Sequence, residues 1–222
     1  MKKSVAAFLI ALGFILHGVS AEKRNPLMAK EPLVWAGIDY SMIRLVGPSE
    51  FRVPDMIFPG MFEKWNALYL DERVELLPRA LDKHVAIDIG AVTERNKKAT
   101  AAQIIESPGP KDLIAETHID KQAIIDAIRS YKMEKTNGLG LVYIVDRFVE
   151  PRFFSTGNDR TSVAQKHKIP AAGAAYIVFF DVATREVIST ERVVETVNMG
   201  ANFRNFWFGV IKGVDEKLGK YR

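Results

Sequence analysis

The stretches GLGLVYIVDR (residues 138–147), AAYIVFFD (174–181) and EVISTERVV (186–194) decide the fold. Leu139–Val145 and Ala174–Asp181 are unbroken apolar runs of strand length, and a third strand spans Glu186–Val194. The tetrapeptide Ala183-Thr184-Arg185-Glu186 separates the last two at a distance suited to a short antiparallel hairpin. Val142, Ile144, Tyr176, Ile177, Val178, Phe179 and Phe180 occupy both parities of their strands, so both faces of the sheet centre are expected to be covered.

Upstream, LVWAGIDYSMIRLV (33–46) reads as one strand, with Gly37 marking a bulge or the close approach of another backbone. Phe62, Trp65, Leu68 and Tyr69 fall three and four apart, the spacing of one helix face, and Pro78 sets the latest end of that helix. Val85–Val92 alternates as an edge or half-buried strand. Thr117 and Asp120 form a T-x-x-D capping pattern before a helix whose face carries Ile124, Ile125, Ile128 and Tyr131. At the carboxyl terminus Phe203, Phe206, Trp207, Val210, Ile211, Val214, Leu218 and Tyr221 make one apolar stripe, with Asp215 away from it. Gly209 and Gly213 each cost up to about 1 kcal/mol of helix propensity, so close packing is expected there. The expected class is α/β (α+β), a mixed, largely antiparallel central sheet of about five strands flanked by three helices.

Lys2 and Lys3, the apolar run Val5–Leu16 and the ending Val19-Ser20-Ala21 form a secretory signal over residues 1–21. The apolar run is short of the roughly 20 residues a bilayer span needs. Residues 22–32 are expected to be a flexible tether and 33–222 a single domain. The 31 basic and 27 acidic residues become 29 and 27 once Lys2 and Lys3 are removed, a formal charge of +2, which gives no reason to expect nucleic acid. The chain has no cysteine, which excludes disulfides, thiolate chemistry and a lipid-bearing thiol. The expected location is periplasmic or extracellular, with no stable transmembrane span in the mature chain.

No catalytic set stands out. His84, His118 and His167 are isolated and read as surface histidines, and H-E-x-x-H, G-x-S-x-G and S-x-x-K are absent. Gly138-x-Gly140 leads into a strand rather than a helix and so makes no phosphate loop. Asp146 and Asp181 each end an apolar strand; on adjacent antiparallel strands they lie at opposite ends, and Asp181 is expected to start the hairpin turn through its side chain. No metal and no cofactor is expected.

The long connection 148–173 is a place for function. There Arg152, Arg160, Lys166 and Lys168 outnumber Asp159, with His167 between the last two lysines, so an anionic ligand or envelope polymer is a candidate partner.

The segment YIVFFDVATREVISTERVV resembles the hairpin of envelope proteins that include the curli secretion-channel lipoproteins and the amino-terminal domain of TolB. An earlier strand similar to GLGLVYIVDRFVE precedes it there. The likeness covers about 55 residues. Arg185 stands where those families place a turn glycine, and the lipid-bearing cysteine is missing. The whole chain also resembles exported proteins of Bacteroidetes-type bacteria that have no assigned role. These resemblances imply an envelope protein that binds other proteins. The leading expectation is therefore a non-catalytic binding module for a protein partner, with a homo-oligomer possible. The alternatives are a binder of small anionic ligands or envelope polymers through Arg152–Lys168, and a hydrolase assembled from Asp39, Ser41 and His84.

Overall fold

A computed structural model describes residues 31–47, 57–105, 116–150, 152–155, 166–169, 171–197 and 203–221. The signal over 1–21, nearly all of the tether, and Arg160 lie outside the described residues, as do the side chains of Arg152, Lys166, His167 and Lys168.

The first strand, β1 (Leu33–Asp39), starts where the sequence placed it, and after a four-residue break the short β2 (Arg44–Val46) follows. Helices α1 (Gly60–Glu72) and α2 (Leu76–Leu81) lead to β3 (Val85–Ile87), and α3 (Gly90–Asn96) leads to β4 (Ile104–Ile105). Then come α4 (Lys121–Arg129), β5 (Leu139–Val149), β6 (Arg152–Ser155), β7 (Lys166–Ile169), β8 (Ala171–Asp181), β9 (Val187–Val197) and α5 (Phe203–Leu218).

The expectation of a largely antiparallel sheet of about five strands with three helices is overturned. The sheet has seven strands, and β3, β1, β5, β2 and β4 run parallel along it, while β8 and β9 extend it antiparallel beyond β5. Five α-helices accompany it among the described residues. The physical reason lies in elements too short to show a period. The first helix stops at Glu72, within the bound Pro78 set, and a further helix follows with Pro78 in its first turn, where the missing N–H costs nothing. Gly90–Asn96, whose first three residues read as strand, is helix α3. Each added helix turns a connection into a crossover, and crossovers deliver parallel strands.

β1 and β2 lie end to end along one side of β5, pairing with its first and second halves, while β8 takes the other side over its whole length. Two apolar cores result. Trp35, Tyr143, Phe148, Ile177 and Phe179 pack beneath α1, α2 and α5; Val34, Val142, Ile144, Val178 and Phe180 pack beneath α3 and α4. The covered faces agree with the double parity of the apolar strands.

Glycine is required at two close approaches. Gly37 has φ +102° and sits at a register shift between β1 and β5, with Asn66 Oδ1 3.0 Å from where a Cβ would stand. A Cβ on Gly173 would lie 2.4 Å from Val210 on α5, so this glycine lets the terminal helix settle onto β8. The β8–β9 hairpin closes antiparallel. Asp181 Oδ1 accepts from Thr184 N at 2.7 Å, and Arg185 takes the left-handed φ of 61° that a glycine would adopt freely. Connection 148–173 contains a two-stranded hairpin, with Arg152 opposite Ile169 and Phe154 opposite His167.

Candidate functional site

Two irregularities coincide at the middle of the sheet. Asp39 is paired with Ile144 and Arg44 with Arg147, so the break at 40–43 faces Val145 and Asp146 on β5. On the other side of β5, Val145 pairs with Ala175 and Arg147 with Ala174, which makes Asp146 the extra residue of a bulge. A bulge re-aims a side chain within a strand. Asp146 is therefore not a strand end, as its sequence position suggested, but a fully buried carboxylate in mid-strand.

Backbone groups released by the break find side-chain partners from four elements. Asn66 of α1 accepts from Ile38 N at 2.8 Å and donates to Ile38 O at 2.9 Å. Asn96, at the end of α3, accepts from Tyr40 N at 2.6 Å. Gln103 Nε2 donates to both Ser41 O and Ile43 O at 3.0 Å. His118 Nε2 lies 2.7 Å from Met42 O. Amides can replace a missing strand because each carries a donor and an acceptor. The break is held rather than loose.

Two buried carboxylates support it. Asp39 accepts from Ser41 N at 2.8 Å, Arg95 Nε at 2.8 Å and Tyr131 OH at 2.9 Å, and Arg95 also donates to Ser41 Oγ at 2.9 Å. Burial, and then the Asp39 charge, pushes the Tyr131 phenol far above its ordinary value. Asp146 accepts from Arg192 Nε and Nη2 at 2.8 and 2.7 Å, and Arg147 Nε is 3.4 Å away. His118 Nδ1 is 2.9 Å from Asp146 Oδ1, within ion-pair range but not aligned as a hydrogen bond. Burial raises the Asp146 carboxyl, yet His118, Arg192 and Arg147 outweigh burial and hold it below the usual carboxylate value.

In front of this frame lies an open pocket of about 690 Å³. The Ser41–Arg44 segment forms one wall; Lys98, Thr100, Ala102, Gln103 and Ile105 form a second; His118, Ile119 and Ala123 form the third. Ile105 closes β4 and Arg44 opens β2, so the pocket lies beside the strand break and not along one end of the sheet.

The remaining candidate residues fall elsewhere. His84 is exposed, and its carbonyl accepts from Leu33 N at the start of β1. Six residues of strand, about 20 Å, separate that end from Asp39, so Asp39, Ser41 and His84 do not assemble. His118 is wedged between Met42 and Asp146 rather than lying free on the surface. Thr117 and Asp120 are not a capping pair: Asp120 is itself the cap, accepting from Ala123 N at 2.7 Å, while Thr117 Oγ1 accepts from Ile119 N at 3.0 Å. Asp215 is buried among Tyr69 OH, Tyr143 OH and Arg73 Nε at 2.8, 2.9 and 2.5 Å, on the opposite face from the pocket. Its burial raises the carboxyl above its ordinary value despite Arg73 and the two phenols. No group of three metal-ligating side chains occurs among the described residues, and none of their helices is long and apolar enough to cross a membrane.

No protein-family model matches the chain. No curated protein matches it either. Among solved structures it is similar to a neuraminyllactose-binding hemagglutinin homolog from Helicobacter pylori, at 9% identity over 86% of this chain and 81% of that one, with a TM-score of 0.27. A likeness of that size carries no argument about fold or ligand.

Proposed function

We propose that this chain is an exported, non-catalytic binding module whose ligand is a small molecule held in the pocket at the β1–β2 break. Export rests on the amino-terminal Lys-Lys and apolar pattern. The observation that carries the binding reading is the state of Gln103, His118 and Ser41 at the pocket wall: the side chain of each is engaged by the backbone or by Arg95. His118 faces an acceptor at both ring nitrogens, so neither is positioned to take a proton from a substrate. Ser41 Oγ accepts from the Arg95 guanidinium and has no base beside it. Asp39 and Asp146 are enclosed by arginines and a tyrosine.

A pocket of about 690 Å³ is in the range of small-molecule sites. That favours a small ligand over the protein partner suggested by the hairpin resemblance. The test is a titration of the neutral dye Nile red, read by fluorescence, against wild type and Ala102→Trp. Ala102 is exposed on the pocket rim, so a tryptophan there obstructs the cavity without disturbing the core. The expected result is saturable binding to wild type, weakened about tenfold in the variant at unchanged melting temperature. Equal binding to both proteins, or none to either, overturns the proposal.

A further inference from the structure

We infer that His118 is a pH-operated latch on the strand break, closed when its imidazole ring is charged and released on the pocket side when the ring is neutral. The geometry makes two demands on one ring. Nε2 lies 2.7 Å from the carbonyl of Met42, which only accepts, so this nitrogen carries a proton. Nδ1 lies 2.9 Å from Asp146 Oδ1 and is closed to water. A bare lone pair there would face a carboxylate, with no donor to meet it among the described residues. Only the charged ring carries protons on both nitrogens, and a neutral ring satisfies one neighbour alone. Histidine is the side chain whose charge ordinarily changes between about pH 5 and 8.

Among the described residues, the charged groups around the ring come from several elements. Asp146 on β5 favours the second proton; Arg147 on the same strand and Arg192 on β9, which face that carboxylate too, oppose it. Lys98 and Arg44 line the pocket with His118, and Glu116 and Asp120 are exposed on its own segment. One carboxylate thus answers to three cations, so the second proton is removable rather than locked in. When it leaves, the remaining proton belongs on Nδ1, because the carboxylate is the stronger acceptor and water does not reach that nitrogen. The ring then turns onto Asp146 Oδ1, which it otherwise meets off-axis, and Met42 O gives up its donor for the water of the open pocket. The backbone beside the ring does not follow. Tyr176 OH holds Thr117 Oγ1 at 2.9 Å and Ile119 O at 3.2 Å, and Arg192 Nη2 donates to Glu116 O at 3.1 Å. The change is confined to the ring and to the Ser41–Arg44 wall of the pocket.

The experiment is ring-nitrogen and amide NMR of the purified, isotope-labelled protein between about pH 5 and 8, with His118→Gln and His84→Gln beside wild type. Both ring nitrogens of His118 are expected to be protonated at the acid end and Nε2 alone deprotonated at the alkaline end, with the Met42 and Ile43 amides shifting at the same midpoint. His118→Gln supplies an amide that does not titrate and is expected to abolish that step. His84→Gln, at an exposed position remote from the break, is expected to keep it. Should His118→Gln not fold, the wild-type ring nitrogens still decide. Resting on the binding reading, Nile red affinity is expected to fall about three- to five-fold over the same range in wild type, the worth of one hydrogen bond, and to stay level in His118→Gln. Nε2 protonated throughout, loss of the proton from Nδ1 instead, or a Met42 step that survives His118→Gln would overturn the latch. Ring and amide steps without dye binding at either pH would remove the binding reading and leave the latch standing.

Discussion

At the scale of single residues, the molecule keeps its most consequential charges out of water. Asp146 is fully buried and its folded carboxyl is held below the ordinary 3.8. A depressed folded value stabilises above the unfolded value, and that stabilisation is lost as pH falls through the folded one. Asp146→Asn is therefore expected to lose about 3 kcal/mol at pH 7, the low end for breaking a buried pair, because Arg192 and His118 keep some contact with water. Denaturant titrations should show the gap from wild type closing as pH drops below 3.8. Asp215 has the opposite sign: burial raises it, so its contribution is complete below the unfolded value and declines as pH rises through the folded one. Tyr143→Phe removes a donor from the ionised form and is expected to cost about 2 kcal/mol at pH 7 and less at pH 3. Neither carboxylate was legible in the sequence. Asp215 lies among charged residues on a helix, and its partners are 146, 142 and 72 positions away. Asp146 needs the register of β8 to be recognised as a bulge.

At the scale of elements, the long ones were readable and the short ones only in part: β3 was expected but drawn on to Val92, β2 was merged with β1, and β4 was missed. β5, β8 and β9 span eleven residues each, and α5 sixteen, enough for composition and periodicity to identify them. β2, β3 and β4 have three, three and two residues. Those fragments owe their state to the neighbours they pair with, which is why the parallel half of the sheet stayed hidden. Gly37 was legible as a bulge and Asp181 as a turn former, since both act through local geometry. Packing of α5 on β8 gives a test at this scale. Gly173→Ala places a methyl 2.4 Å from Val210 and 3.0 Å from Phe148, and is expected to cost about 1 to 3 kcal/mol by overpacking. Adding Val210→Ala should recover part of that loss in a double-mutant cycle, whereas strict additivity would mean that the two elements do not meet there.

Across the whole molecule, helices cover both sheet faces, and the pocket forms where the sheet is interrupted. Its walls come from residues 41–44, 98–105 and 118–123, three segments that no linear motif joins. The sequence consequently directed attention to the basic stretch Arg152–Lys168, while the open pocket comes from the break between β1 and β2. What the sequence did supply was the material: Ser41, Gln103 and His118 are polar residues beside apolar runs, a combination that gains meaning only once the break leaves backbone groups to satisfy. Because those side chains hold the Ser41–Ile43 carbonyls before any ligand arrives, the pocket should be preformed. Loss of the Gln103 amide in Gln103→Leu is expected to weaken Nile red binding about three-fold or more while changing stability by about 1 kcal/mol, measured by dye titration and thermal melting.

The most direct measurement is a two-dimensional amide NMR titration of the protein with Nile red. Shifts confined to Ser41–Arg44, Lys98–Ile105 and His118–Ala123, with the other amides unmoved, are what a preformed pocket at the strand break predicts. Shifts centred on other segments, or spread evenly through the sheet, would contradict it.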